Sequence, residues 1–297
     1  MVKVKKQSKP FDLSTRAILV DLDVTAWWAR RTDDDISTEV AKSHKAESKA
    51  AGVYSKRLLP PNSALSEIER CIGRARALHR ELTLPWADGG MRIISTAGYM
   101  KYMDQLREQV EEFDTAVHTF VSSYPELQQK AKKFLGSMYR GEDYPEVASI
   151  KGWYSMRVKA FPVPAASDFR VKLSDQQVGQ LRKQLESDVR SSLDKAMQDL
   201  WQRLYDMTGK FTTRLAKSDA VLRDSLLGNL KELCEQIPVL NLTEDKRLEQ
   251  VRKQVLDKLG KYQMDNLRED DVLRKQVAKE AEAIHKSMAA YMEVTNG

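Results

Sequence analysis

Two adjacent tryptophans, Trp27 and Trp28, are followed at once by Arg30 and Arg31, with Lys42, Lys45, Lys49, Lys56 and Arg57 downstream. Indole faces stack on unpaired bases and cations neutralise phosphates. The interleaving therefore predicts a contact with single-stranded nucleic acid through Trp27, Trp28, Arg30, Arg31, Lys42, Lys45, Lys56 and Arg57. On a strand the two indoles would point to opposite faces, so one belongs to the core and at most one is a stacking platform. Asp21 and Asp23 are a second candidate. At a spacing of two, a strand sets both carboxylates on one face, where they could hold Mg²⁺ if further oxygen ligands joined them. No further ligand is assignable, and the simpler reading is a pair of solvated acids on an edge strand.

Other chemistries lack their patterns. His44, His79, His118 and His285 are scattered, with no HxxxH or HExxH spacing to bring two together, and no GxxxxGK[ST], GxGxxG or GxSxG stretch occurs. Cys71 and Cys234 lie 163 positions apart and outside any CxxC or Cys/His ligand spacing. Disulfide scaffolds and zinc modules are thereby excluded, and a reducing cytoplasm is the expected compartment. The expectation is a non-enzymatic protein with no cofactor.

Charge qualifies the nucleic-acid reading. The chain of 297 residues carries +6, and the excess is confined to residues 1–173, with 28 Lys+Arg against 22 Asp+Glu; residues 174–297 hold 21 of each. Four of those lysines, Lys3, Lys5, Lys6 and Lys9, fall in a polar stretch before Pro10, so residues 1–15 are expected to form a disordered basic tail. No apolar run approaches the roughly 20 residues a membrane-spanning helix needs; no membrane association is expected.

The elements that must position these residues read as mainly α. Residues 16–173 are expected to form a helical domain with a small β patch, and residues 174–297 an elongated antiparallel helical bundle. Ile18, Val20, Leu22 and Val24 alternate with Leu19, Asp21, Asp23 and Thr25, predicting a strand over 16–28. Residues 29–55 have no sustained period and read as a mobile loop with at most one weak helix. Leu65, Ile68, Ile72, Ala75, Leu78 and Leu82 predict a helix to about Glu81, which residues 83–90 then break. A second helix is predicted from about Thr96 to Val121. A third starts at Pro125, because proline suits the first turn better than an interior. Residues 142–169 hold three prolines with Trp153, Tyr154, Phe161 and Phe169, an aromatic-walled joint; residues 168–173 alternate like a strand that could pair with the one near residue 20. From Ser174 an apolar stripe runs through Leu181, Leu185, Val189 and Leu193 to Leu215 at a mean spacing near 3.8, which favours a straight bundle over a heptad zipper. A further helix is predicted to stop at Pro238, and a last one to be capped by Thr243 and to break near Asp265-Asn266.

Four segments, LHRELTLPWADGGMRII (78–94), GEDYPEVASI (141–150), FPVPAASDFRVKL (161–173) and LLGNLKELCEQIPVLN (226–241), together resemble an uncharacterised family of proteins encoded by bacteriophages and integrative elements. Genes of that family often lie near MoxR/CobS-like AAA+ ATPases or recombination genes. The resemblance implies an accessory role in phage or mobile-element DNA metabolism or host takeover, with an AAA+ ATPase as a candidate partner, and it brings no catalytic residues. Long amphipathic helices need a surface on which to bury their stripes. The leading expectation is therefore interaction with a protein partner, or self-association, through the C-terminal helices. Single-stranded nucleic-acid binding or annealing is the alternative.

Overall fold

The computed structural model describes residues 13–47, 50, 52–61, 63–165 and 174–295. In chain order they form β1 (Ala17–Thr25), β2 (Arg30–Thr32), α1 (Asp34–Ser43), β3 (Ser55–Arg57), α2 (Ser63–Leu82), β4 (Leu84–Pro85), β5 (Arg92–Ser95), α3 (Thr96–Leu135), α4 (Val147–Ile150) and β6 (Ser155–Pro162). The helices α5 (Asp175–Ala216), α6 (Asp224–Leu240), α7 (Lys246–Val255), α8 (Met264–Glu269) and α9 (Asp271–Thr295) follow. The protein is mainly α-helical, as expected, with one four-stranded sheet in the order β4-β5-β1-β6 and a two-stranded ribbon, β2-β3.

The chain does not divide at residue 173. It forms two compact units, each built from separated segments: unit 1 from Met1–Asp21, Arg80–Tyr102 and Ala160–Gly297, unit 2 from Leu22–His79 and Met103–Lys159. Sequence order predicts a linear split, but strand pairing ties Ala17–Val20 to Arg92–Ser95.

In unit 1, α5 and α9 run antiparallel. Arg274 near the start of α9 donates to the Leu215 carbonyl at the end of α5, and His285 stacks on Tyr205 at 3.9 Å. Leu200, Leu204 and Phe211 of α5, Ile237 of α6, Leu248 and Val251 of α7, and Val277, Ala281 and Met288 of α9 are buried together, with Leu84 and Ile93 of the sheet in the same core. Two guanidinium groups close the C-terminal end of α2. Arg92 donates to the carbonyls of Arg80 and Thr83 and to Thr83 Oγ1, and Arg203 to the carbonyls of Glu81 and Thr83. Cations at a helix C-terminus satisfy its orphan carbonyls and oppose its dipole. Burial, reinforced by the charge of Arg203, lowers the Arg92 pKa to about 10.

Several boundaries differ from the expected ones for physical reasons. Leu13, assigned to the disordered tail, is 5% exposed and starts a short 3-10 turn ahead of β1; residues 1–12 lie outside the described set. The expected loop 29–55 holds β2 and the start of β3 besides the one helix allowed there, α1, which Asp33 caps by accepting from the Ile36 amide. Residues 83–90 break the helix into a β4-β5 hairpin, whose turn uses Gly89 and Gly90 at φ of 91° and 100°. Pro125 does not start a helix: α3 runs through it for 40 residues. Proline removes one amide donor, to the Val121 carbonyl, while Phe120, Tyr124 and Leu127 around it stay buried. Pro238 likewise sits inside α6, and Asp245 rather than Thr243 caps α7, accepting from the amides of Arg247 and Leu248. The strand beside β1 is β6; the expected strand 168–173 lies outside the described residues. By contrast α5 starts where expected, with Ser174 and Gln177 forming a capping box.

Candidate functional site

β1 ends at Thr25, so Trp27 and Trp28 follow the strand rather than lie on it. The expected division between them still holds. Trp27 is half-buried, packed edge-to-face on Tyr124 (5.8 Å, 84°) and on Trp153 (6.3 Å, 87°), while Trp28 is 43% exposed. Edge-to-face aromatic pairs contribute about 0.5–1.5 kcal/mol beyond their buried area. The Trp27 carbonyl accepts from the Tyr154 hydroxyl at 2.9 Å, which fixes the backbone behind the ring. Ala29 then adopts φ +48°, a left-handed conformation costing an L-residue about 1–2 kcal/mol. A bond from the Leu58 amide to the Ala29 carbonyl (2.8 Å) and burial of its side chain hold it there. This bend separates Trp28 from the ribbon that begins at Arg30.

In that ribbon Arg30 pairs with Arg57, Arg31 with Lys56 and Thr32 with Ser55. Side chains alternate between faces, so Arg30 and Arg57 share one face and Arg31 and Lys56 the other. Arg30 and Arg57 are exposed, and neither has an ion-pair partner among the described residues. Like charges directly opposite on a ladder are destabilising; an anion supplied from outside would relieve them.

Lys56 does not belong to that exposed set. Its side chain is 2% exposed, and Nζ lies 2.9 Å from Asp33 Oδ2, 2.9 Å from Asp143 Oδ2 and 2.9 Å from the Met138 carbonyl. Nζ donates to Asp33 and to the Met138 carbonyl and is ion-paired with Asp143, so the expected phosphate contact at Lys56 is corrected to a structural bolt. Burial pushes the Lys56 pKa down, but the two carboxylates outweigh it and the net direction is upward. Asp33 is held below the ordinary carboxylate range, first by Lys56 and then by the Ile36 amide. Buried tyrosines pin the adjoining backbone: the Tyr144 hydroxyl donates to the Leu58 carbonyl at 2.6 Å and the Tyr124 hydroxyl to the Pro145 carbonyl at 3.0 Å. Burial pushes the Tyr124 pKa up to about 12.

Thr25, Ala26, Trp27, Trp28, Arg30, Glu69, Gly152 and Trp153 line an open cleft of about 790 Å³ in unit 2. Three indoles, one guanidinium and one carboxylate are thus gathered at one place. Trp153, 45% exposed, and Glu69 are the residues sequence reasoning left out of the site. The Trp153-Tyr154 pair, one ring outward and one inward, mirrors Trp27-Trp28 and was the available signal; nothing in the spacing of Glu69 marks it. Arg31 is exposed and lies 3.7 Å from Asp143. Lys42 and Lys45 are exposed at and just beyond the end of α1 and do not line the cleft. The cleft can stack planar rings, neutralise an anion at Arg30 and accept a hydrogen bond at Glu69.

The metal candidates fare differently. Asp23 Oδ2 is 2.9 Å from both Arg157 and Lys159, whose hydrogen bonds, that of Lys159 first, hold the carboxyl below its usual range. Two cations already neutralise it, so Asp21 and Asp23 are not a ligand pair; among the described residues no three His, Cys, Asp or Glu side chains are placed to hold a metal. No described helix is long and apolar enough to cross a membrane. No family model, no curated protein and no solved structure matches the chain.

Proposed function

We propose that the protein binds single-stranded nucleic acid at the cleft of unit 2, with bases on the exposed faces of Trp28 and Trp153 and phosphates on Arg30 and Arg57. One observation carries this reading: two exposed indoles flank a cleft beside Arg30, and Arg30 is opposed across the ribbon by Arg57, neither of them in an ion pair among the described residues. A base reaches an indole face only when it is unpaired, so the cleft favours single strands over duplex. Glu69 is the acceptor available to a base amino group. A phage or mobile-element setting, with an AAA+ ATPase as partner, is supported by the resemblance of the four sequence segments alone.

Fluorescence anisotropy of labelled single- and double-stranded oligonucleotides, at about 50 and 200 mM salt, tests the reading. Single-strand binding that weakens steeply with salt, and falls roughly 5- to 150-fold in Trp28→Ala or Trp153→Ala, is expected from stacking worth about 1–3 kcal/mol per base. Equal binding by the tryptophan variants, or none by the wild type at low salt, would retire it.

A further inference from the structure

α5 is buried in the core of unit 1 only from Ala196 onward, with Val189 and Leu193 packed partly against that core just before it. From Asp175 to Lys195, about 31 Å of helix at 1.5 Å per residue, it has no buried side chain. This arm is not polar all round. Val178, Leu181, Leu185 and Val189 recur at spacings of three, four and four on one face; Leu181 is 38% exposed and the others are half-buried. Its composition does not favour a free helix, since it contains Gly179 and five serines or β-branched residues, Val178, Ser187, Val189, Ser191 and Ser192. The capping box at Ser174 marks a defined start nonetheless.

We propose that this arm pairs antiparallel with the same arm of a second copy of the chain, centred on Leu185. Around that centre Leu185 meets its own twin, and Leu181 of each copy forms a layer with Val189 of the other. Charge selects the direction. Arg182 and Glu186 flank the same edge of the stripe one turn apart, and neither has an ion-pair partner among the described residues. In an antiparallel pair like edges meet, so Arg182 of one copy faces Glu186 of the other, twice by symmetry. Along the opposite edge Gln184 donates to Asp188 of its own helix at 2.8 Å, leaving that edge without a free charge to oppose the pairing. Parallel pairing instead sets opposite edges together and leaves Arg182 beside Gln177. The helix dipoles also oppose favourably only in the antiparallel pair. The interface is isologous and closes at two copies. Its narrow stripe places it among weak, concentration-dependent associations.

Sedimentation of the full chain from roughly 5 to 200 µM, a range chosen for a weak interface, should show a monomer–dimer equilibrium. Leu185→Lys should abolish it without changing the circular dichroism. Register is read separately with Leu185→Cys and Val178→Cys under mild oxidation. The native thiols do not compete, because Cys71 and Cys234 are 1% and 0% exposed. The expected result is a cross-linked dimer for Leu185→Cys and none for Val178→Cys, whose twin positions lie about 21 Å apart along an antiparallel pair. A monomer at every concentration, association unaffected by Leu185→Lys, or equal cross-linking at both positions would overturn the proposal.

Discussion

Arg30 stands directly across the β2-β3 ladder from Arg57, two guanidinium groups opposed on one exposed face with no acid between them among the described residues. A ribbon of three residue pairs tolerates this because its other face is fastened by Lys56 to Asp33 and Asp143.

The opposed arginines should trade stability for binding. Arg57→Gln removes the repulsion and is expected to raise stability by a few tenths of a kcal/mol, within the ~0.2–1 kcal/mol range of cross-strand pairs. The same change should lower the salt dependence of single-strand binding by about 0.7 in log–log slope, one phosphate contact. Urea unfolding and salt-dependent anisotropy on the same preparation check both signs. A variant that is less stable, or whose slope is unchanged, contradicts the role assigned to the pair.

Lys56→Met should be among the most damaging single changes. It strands Asp33 as a buried carboxylate without its cation and leaves Asp143 only the Arg31 guanidinium 3.7 Å away, and breaking a buried ion pair costs about 3–5 kcal/mol. The pH dependence carries the signature. In the wild type the Asp33 pKa is depressed on folding, so its contribution is present above the unfolded value near 4 and is lost as the pH falls through the lower folded value. The Lys56 pKa is raised, so its contribution persists below the ordinary lysine value and is lost only as the pH rises through the folded one. In the variant, acid instead relieves the stranded charges. Urea midpoints at pH 7 and pH 4 should therefore show a gap between wild type and variant that narrows in acid; a constant gap would deny the buried ion pairs their role.

Gly98 near the start of α3 is a packing constraint in unit 1. A Cβ there would collide with Val239 Cγ1. Gly98→Ala is expected to cost about 1–3 kcal/mol as an overpacking change. Val239→Ala should recover most of that loss in a double-mutant cycle, whereas simple additivity of the two changes would show that they do not touch.

Both thiols should be silent in the native protein. Burial pushes the Cys234 pKa up to about 12 and that of Cys71 upward as well. Ellman's reagent at pH 8 should label slowly until denaturant exposes two thiols per chain. Rapid labelling of one equivalent in the native state would show that one of the two sites opens.

The periodic helices were legible in the sequence because their packing is local. Leu65 to Leu82 predicts α2, and the Ser174 box predicts the start of α5. Pro125 and Pro238 misled for the same physical reason: a single missing amide donor is a local signal, and burial of neighbours such as Tyr124 and Ile237 outweighs it. The ribbon was hidden because its strands are three residues long and its stability rests on Lys56 reaching Asp143, 87 positions away. Half of the candidate site was similarly local. Trp27, Trp28 and Arg30 follow one another, but Glu69 and Trp153 join them only through tertiary structure, and burial is what separates Lys56 from its exposed neighbours.

The interleaved division of the chain also orders its folding during synthesis. Unit 2 is complete once Lys159 has been translated, whereas unit 1 draws on Ala160–Gly297. At about 5–20 residues per second, those 138 residues take roughly 7–28 s to make. Throughout that interval the cleft and its bolted ribbon can already be formed, while Ala17–Asp21 and Arg80–Tyr102 wait beside the ribosome with their apolar positions, Leu19, Leu84 and Ile93 among them, still without the helices that will cover them. The ribosome-bound chain is thus expected to gain its ligand site before it gains its largest core, and a chaperone is most needed on the half that finishes last.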